Sequence, residues 1–447
     1  MLDIKFIREN AAAVAKAAAD KKIACDIDAL LAIDADRRSI QRELDALRTE
    51  VRKGGEQMAQ FRNSKSPWYK DAVASGKSPE DINAMAANAQ AGLNELKQRI
   101  KPLEEREREV METFDALMLT VPQPADADVP LGADDTENVE IKRVGDVPAF
   151  DFEPLDHVKL GESLGIIDIE RGVKLGGSRN YALRGDGALL HQAVLRLAMD
   201  MMIERGFTPM QVPVLVREPV MYGTGYFPGG RDQAYLCERD ELSLVGTAEV
   251  PLTAFYGDEI LSLDQLPVKM CAVSPCFRRE AGSAGKDTYG LYRIHLFDKV
   301  EQVIICENDV ETSKRYHQEI LANAEAVVQA LGMPYRVVNV CTGDLGQGQV
   351  QKYDIETWMP SREGYCETHS ASRFYEFQSR RLKLRYKDAD NKTRFCHTLN
   401  NTVIASPRIL IPILELYQNA DGSVKIPEAL RCYMNGRERI EPEGASC

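Results

Sequence analysis

The stretch CFRREAGSAGKDTYGLYRIHLFDKVE, Cys276 to Glu301, decides how the chain folds. Apolar, β-rich residues run from Val268 to Phe277, a glycine-rich polar segment follows, and a second such run starts near Tyr292 and continues to Cys306. That pattern predicts an antiparallel pair of strands joined by a long loop. Side chains alternate across a strand, so Arg278 and Glu280 share one side of the first run, while Arg293, His295, Phe297, Lys299 and Glu301 share one side of the second. Ile294, Leu296 and Val300 fall on the other side, which is the expected core face. The polar side lines up cations, an aromatic ring and carboxylates. At ~3.3 Å per residue Phe297 and Glu301 stand ~13 Å apart, roughly the length of an amino acid joined to a nucleoside phosphate. A ring can stack a purine, an arginine can take phosphate in bidentate fashion and neutralise charge that develops during transfer, and a far carboxylate can hold an ammonium. An exposed amphipathic hairpin has the same period; the order of the residues is what favours a site.

Composition sets the frame. At 447 residues the chain has room for two or three domains, and its 44% apolar and 28% charged residues are those of an ordinary globular protein. A net charge of −13 argues against a surface coated for indiscriminate nucleic-acid binding, though not against a local basic groove. Ten cysteines stand singly without a CxxC pair, which suggests neither a disulfide framework nor a zinc ribbon and fits a reduced, cytoplasmic setting. Cys366 and His369 are three apart, but no second half of a metal site accompanies them. The opening MLDIKFIREN carries charges where a secretory signal needs an apolar core, and no run reaches membrane-spanning length.

The first part of the chain reads differently from the rest. Ile33, Ile40, Leu44, Leu47 and Val51 recur near every 3.5 residues, and a second series follows in Ile82, Met85, Ala89, Leu96, Ile100, Leu103, Val110, Phe114 and Leu117. Between them lie Gly54, Gly55, Pro67, Gly76 and Pro79, so the pair predicts an antiparallel helical hairpin with coiled-coil seams. A dimerisation device has the same signature. Pro102 predicts a kink in the second helix.

Residues 121–148 are rich in Pro, Asp and Gly without period, which marks a linker. Beyond it, helices are expected near 187–205 and 309–331, with a strand containing Pro213 after the first. In ELSLVGTAEVPLTAFY alternation would put Thr247 and Glu249 on one face of a strand. Near the end, a strand carries Asn400 and Thr402 on one face, then Ser406 takes an N-cap position and Pro407 the first helical position, leaving Arg408 in the first turn. A helix N-terminus with an arginine favours a polyanion such as a triphosphate.

These segments together carry a resemblance. FRREAGSAGKDTYGLYRIHLFDKVE resembles the second signature motif of class II aminoacyl-tRNA synthetases, in the form found in the seryl-tRNA synthetase family. GTAEVPL is similar to that family's amino-acid-binding loop, YDIETWMPSREGYCETHSASRFYEFQ to its metal- and ATP-ligand segment, and NNTVIASPRIL to the third motif. The helix and Pro213 segment is similar to the first motif, which builds a dimer interface in the family. The resemblance implies an α+β fold: an antiparallel sheet flanked by helices, preceded by the helical arm. It implies a tRNA-binding domain at residues 1–121, a linker at 122–150 and a catalytic domain at 151–447.

Carried over position by position, the resemblance assigns catalysis to Arg278, Glu280 and Arg408. It implies ATP contacts from those three and from Arg279, Ile294, Phe297, Glu367, Thr368, His369 and Ser370, with Glu367 and Ser370 also holding Mg²⁺. Serine would lie among Thr247, Ala248, Glu249, Arg278, Glu301, Asn400 and Thr402. The implied partners are L-serine, tRNA(Ser), with tRNA(Sec) left open, and a second copy of the chain in a homodimer; no membrane is involved. Arg48, Arg52, Lys53, Arg62 and Lys65 toward the tip of the arm are candidates for phosphate contacts. Arg279 and Leu296 depart from the family pattern, where serine and glutamine are common, and by parity both lie opposite the ligand row. Two other readings stay open: a ligase that charges a carrier protein, and a catalytically silent RNA-binding relative.

Overall fold

The computed structural model describes residues 1–282, 285 and 287–442; of the stretch quoted above, residues 283, 284 and 286 lie outside them. Contacts divide the chain into two compact units, Cys25–Val121 and Met1–Ala24 with Pro122 onward. Residues 1–24, grouped with the arm in the sequence reading, pack within the second unit: the Met1 amino group donates to the Phe377 carbonyl, and Lys21 Nζ donates to the Gly346 carbonyl at 3.1 Å.

The first unit is a hairpin of two long helices, α1 (Ile27–Arg62) and α2 (Pro79–Thr120). Both begin on strong caps. Asp26 accepts from the Ala29 N–H, and Ser78 with Asp81 forms a reciprocal capping box ahead of Pro79. The seam is apolar in layers: Ile40 and Leu44 meet Val110, while Met58 and Phe61 meet Ala86 and Leu93. Gly54 permits the close approach there, since a Cβ would fall 2.8 Å from Leu93 Cδ2. A short helix, Pro67–Ala74, fills the turn, and α2 runs on through Pro102.

The second unit is built on an eight-stranded sheet. In chain order its strands are β1 (Val139–Val144), β2 (Thr208–Met210), β3 (Val268–Phe277), β4 (Leu296–Cys306), β5 (Tyr335–Asn339), β6 (Gln351–Met359), β7 (Gly364–Tyr375) and β8 (His397–Ser406). Their spatial order is β1-β5-β6-β7-β8-β4-β3-β2, antiparallel throughout except that the edge strand β2 runs parallel to β3. Helices α3 (Gly185–Glu204) and α5 (Val310–Ala330), separated in sequence by the short helix α4 (Glu249–Ala254), cover one face. Leu190, Val194 and Ala198 of α3 and Ile320, Ala324 and Val327 of α5 pack there with Val300, Ile304 and Ile404 of the sheet. Burying a row of such side chains contributes about 1.5–3 kcal/mol each and fixes which strand face is open.

Four expectations need correction. Residues 139–144 form the edge strand β1 instead of linker; a register shift at Ile141 and exposure of nearly the whole strand hid its period. Pro213 lies between strands, and the proline of that segment that stands in a strand is Pro209, on the edge strand where a missing N–H is tolerated. Strand β4 begins at Leu296 instead of near Tyr292, and Leu296 is 41% exposed instead of core. Ser406 ends β8 and its hydroxyl meets His191 Nδ1 at 2.8 Å, so it caps nothing; Arg408 lies in the turn before α6 (Leu410–Leu416).

Candidate active site

The open face of the sheet gathers the polar row. In β4 the side chains of Phe297, Lys299 and Glu301 alternate with the core residues, opposite Cys276, Ser274 and Ala272 of β3. On the other flank Glu301 pairs with Thr402, and Val303 with Asn400. On β7 the residue Thr368 is a bulge: Glu367 pairs with Glu356 and His369 with Ile355, so Ser370 pairs with Asp354. The extra residue restores parity, and Glu367 and Ser370, three apart, share one face of the sheet.

At one end of the resulting cleft, Arg278 stands just past β3. Its backbone N–H donates to the His295 carbonyl at 2.9 Å, and its guanidinium carbon lies 5.1 Å from the centre of the Phe297 ring. Glu280, at φ 53°, turns back so that its carboxylate accepts from Arg293 at 2.9 Å. A non-glycine residue in that left-handed region is strained, and such strain concentrates where side chains must be aimed. Arg408 donates through Nε to the Tyr292 carbonyl at 3.1 Å and through Nη1 to the Glu367 carbonyl at 3.2 Å, with its guanidinium 4.4 Å over the Tyr292 ring. The Glu367 side chain stays 47% exposed; its partial removal from water raises a carboxyl, yet Arg408, Lys352, Arg278 and Lys299 outweigh that and hold it below the usual range. Ile294 and Thr368 complete this part of the lining.

The other end is closed and polar. Glu301 is buried; it accepts from Thr247 Oγ1 at 3.0 Å and pairs with Lys299, whose Nζ also reaches Thr402 Oγ1 at 3.4 Å. Glu249, also buried, accepts from Gln378 Nε2 at 2.8 Å. Burial first, then the nearby Glu301 carboxylate, lift Glu249 to about 7, against the pull of Gln378, Lys299 and Arg278. The buried Asn400 Oδ1 has no hydrogen-bond partner among the described residues, which leaves an acceptor ready for an incoming donor. A second cavity of about 320 Å³ adjoins on the far side of Arg278, walled by Tyr226, Ala234, Leu244 and Phe277.

Most of the residues named from sequence therefore converge. Three do not face the cleft: Arg279 is exposed and donates to the Asp232 carbonyl, Ala248 packs in an apolar cluster with Leu252 and Val303, and His369 is buried on the helix-covered face, lowered by burial to about 4. Thr247 and Glu249 do not share a strand face; Gly246 to Ala248 bend and Glu249 opens α4, so they meet because the Thr247 hydroxyl accepts from the Glu249 N–H at 3.2 Å. Tyr292, Arg362 and Gln378 were missed. Tyr292 is sandwiched by Arg362 and Arg408, at 3.9 and 4.4 Å, and its place just before β4 was the available signal.

Comparison with known proteins gives the family. Residues 1–124 match the seryl-tRNA synthetase N-terminal domain, and residues 235–417 match the tRNA synthetase class II core domain (G, H, P, S and T). A serine–tRNA ligase from Deinococcus radiodurans is 46% identical over 98% of both chains, and one from Gloeothece citriformis is 41% identical over 97% of this chain and 98% of its own. The structure of seryl-tRNA synthetase from Pyrococcus horikoshii complexed with ATP aligns with a TM-score of 0.87 at 37% identity, covering 99% of this chain and 100% of that one. With matches spanning the arm and the sheet alike, the chain belongs to the seryl-tRNA synthetase family of class II aminoacyl-tRNA synthetases.

Proposed function

We propose that this chain activates L-serine with ATP and transfers the seryl group to tRNA(Ser). The observation that carries the reading is one cleft with two chemically distinct ends: arginines and an aromatic ring at one, and a buried Thr247–Glu301–Lys299 group with the unpaired Asn400 acceptor at the other. A serine carboxylate oxygen attacks the α-phosphorus in line, the bond to the bridging oxygen breaks, and pyrophosphate leaves. The terminal ribose hydroxyl of tRNA then attacks the carbonyl carbon of seryl-adenylate and AMP departs. No protein nucleophile is needed, so catalysis rests on placement and on neutralising charge as it builds.

In this reading Phe297 stacks adenine, Arg278 holds the α-phosphate, Arg408 holds the γ-phosphate and Glu280 contacts the nucleotide. Thr247, Glu249, Glu301, Asn400 and Thr402 surround serine. Glu367 and Ser370 fit Mg²⁺: the bulge places an ionised carboxylate and a hydroxyl on one face beside the arginines, and Mg²⁺ asks for few protein oxygens because it keeps water and phosphate ligands. When bound it would supply charge neutralisation at the triphosphate. We further propose a cytoplasmic homodimer, and charging of tRNA(Sec) is an added arm of the same assay.

The test is twofold: serine-dependent ATP–pyrophosphate exchange, and retention of labelled serine with tRNA on filters. Exchange without tRNA charging would favour a carrier-protein ligase, and no exchange would favour a silent relative. The carboxyl raised to about 7 gives a further expectation. Glu249 offers serine a negative charge only when ionised, so kcat/KM for serine should rise as pH increases through about 7 and fall below it. The KM for ATP should stay flat there, because Glu367 is held low and remains charged. A flat serine profile from pH 6 to 8 would remove Glu249 from the pocket.

A further inference from the structure

We infer that Gln378 is a positioning residue for serine recognition, its side-chain amide holding the Glu249 carboxylate and being itself locked by Thr398. The inference rests on the reading of Glu249 as a serine contact. Gln378 lies in the short helix Phe377–Leu382 and is 1% exposed. Its Nε2 donates to Glu249 Oε1 at 2.8 Å and to the Thr224 carbonyl at 3.0 Å, while its Oε1 accepts from Thr398 Oγ1 at 2.6 Å. That arrangement fixes the amide. A flipped side chain would set an oxygen against two acceptors, the carboxylate and the carbonyl, in a buried place where unpaired polar atoms are costly.

Thr398 sits two residues before Asn400 on β8 and four before Thr402, so it shares their face of the sheet. The row on β8 therefore runs from residues that would meet serine to one that secures the residue behind Glu249. The groups facing Glu249 are Glu301 and Lys299 from β4, Arg278 from the end of β3 and Tyr226 from the loop after the helix Glu218–Thr224. Glu301 repels a second negative charge, Lys299 is paired with Glu301, and Arg278 also faces Glu367 and Glu280. The neutral Gln378 amide is the group dedicated to Glu249. It favours the ionised form and fixes the direction in which the second carboxylate oxygen points.

The variants are Gln378→Met, which keeps length and lacks hydrogen-bonding groups, and Thr398→Val, which leaves the amide in place but unlocked. For Gln378→Met, KM for serine in pyrophosphate exchange should rise about tenfold while KM for ATP stays within about twofold, the size expected for losing one hydrogen bond to a charged group. The acid limb of kcat/KM for serine should move to higher pH. Thr398→Val should show the same pattern at a smaller size, and it carries the test if Gln378→Met fails to fold by thermal melting. Both KM values rising together, a fall confined to kcat, or an unmoved acid limb would overturn the inference. Loss of serine dependence in the wild-type enzyme would instead sink the underlying reading.

Discussion

Glu301→Ala is expected to abolish serine-dependent pyrophosphate exchange, and the structure says why the loss should be large. Glu301 is 1% exposed and pairs with Lys299, itself buried, while accepting the Thr247 hydroxyl. Removing the carboxylate leaves a buried ammonium without its counter-charge and a buried hydroxyl without an acceptor. Breaking a buried pair from one side costs about 3–5 kcal/mol, so if that loss falls on the serine complex, exchange should drop about a thousandfold. Glu301→Gln separates charge from shape. Thr247 and Lys299 both meet Oε2 of Glu301, so an amide oxygen in that place can still accept from both and keep the local hydrogen bonds, yet the side chain offers an NH2 at the other position and no charge to serine. Exchange near the wild-type rate in Glu301→Gln would mean that the carboxylate serves the fold alone. A cleft that must read a hydroxyl rejects an analogue lacking it through such unpaired groups, by about 10⁴-fold or more where recognition is complete.

The strand arithmetic behind this residue was sound because Phe297 to Glu301 lie within one regular run, with the core side fixed by Val300. Parity is only as good as the regularity beneath it. It failed at Thr247 and Glu249, where the chain bends into α4, and a hydroxyl–backbone bond brings together residues that a strand would have aligned differently. At Glu367 and Ser370 simple alternation points them to opposite faces, and only the bulge at Thr368 unites them. Bulges leave no clear mark in composition, so a pair three residues apart is invisible to period counting. Arg408 lines the cleft from a turn and not from the first turn of a helix: Tyr292, not a helix terminus, is what it rests on. The long helices of the arm were the most legible part, since the seam repeats over many turns; even so Leu93 and Phe61, which anchor the tip, fell outside the series. Residues acting through others, Gln378 above all, carry no spacing signal, because their partners come from distant segments.

Deleting the arm should split the two half-reactions. The unit Cys25–Val121 has its own seam, and Thr120 Oγ1 lies 3.8 Å from Cys25 Sγ, so a few glycines can replace residues 27–119 without stretching the chain. Everything that lines the cleft lies in the sheet unit, and serine-dependent exchange should therefore persist near the wild-type rate. Charging of tRNA should fall about a hundredfold or more if Arg52, Lys53 and Lys65, exposed toward the tip, meet phosphates, each such contact adding about 0.9 to the salt slope on a duplex. Arg48 and Arg62 should contribute less, because Arg48 is bonded to Glu104 at 2.9 Å and Arg62 to Gln90 at 3.3 Å, and both bonds must be given up first. Reversing the three exposed cations to glutamate should reproduce much of the deletion and flatten the dependence of KM for tRNA on salt. If charging survives the deletion while the sedimenting mass halves, the hairpin is an assembly device and tRNA is held elsewhere. If charging and mass both stay as they were, neither role stands.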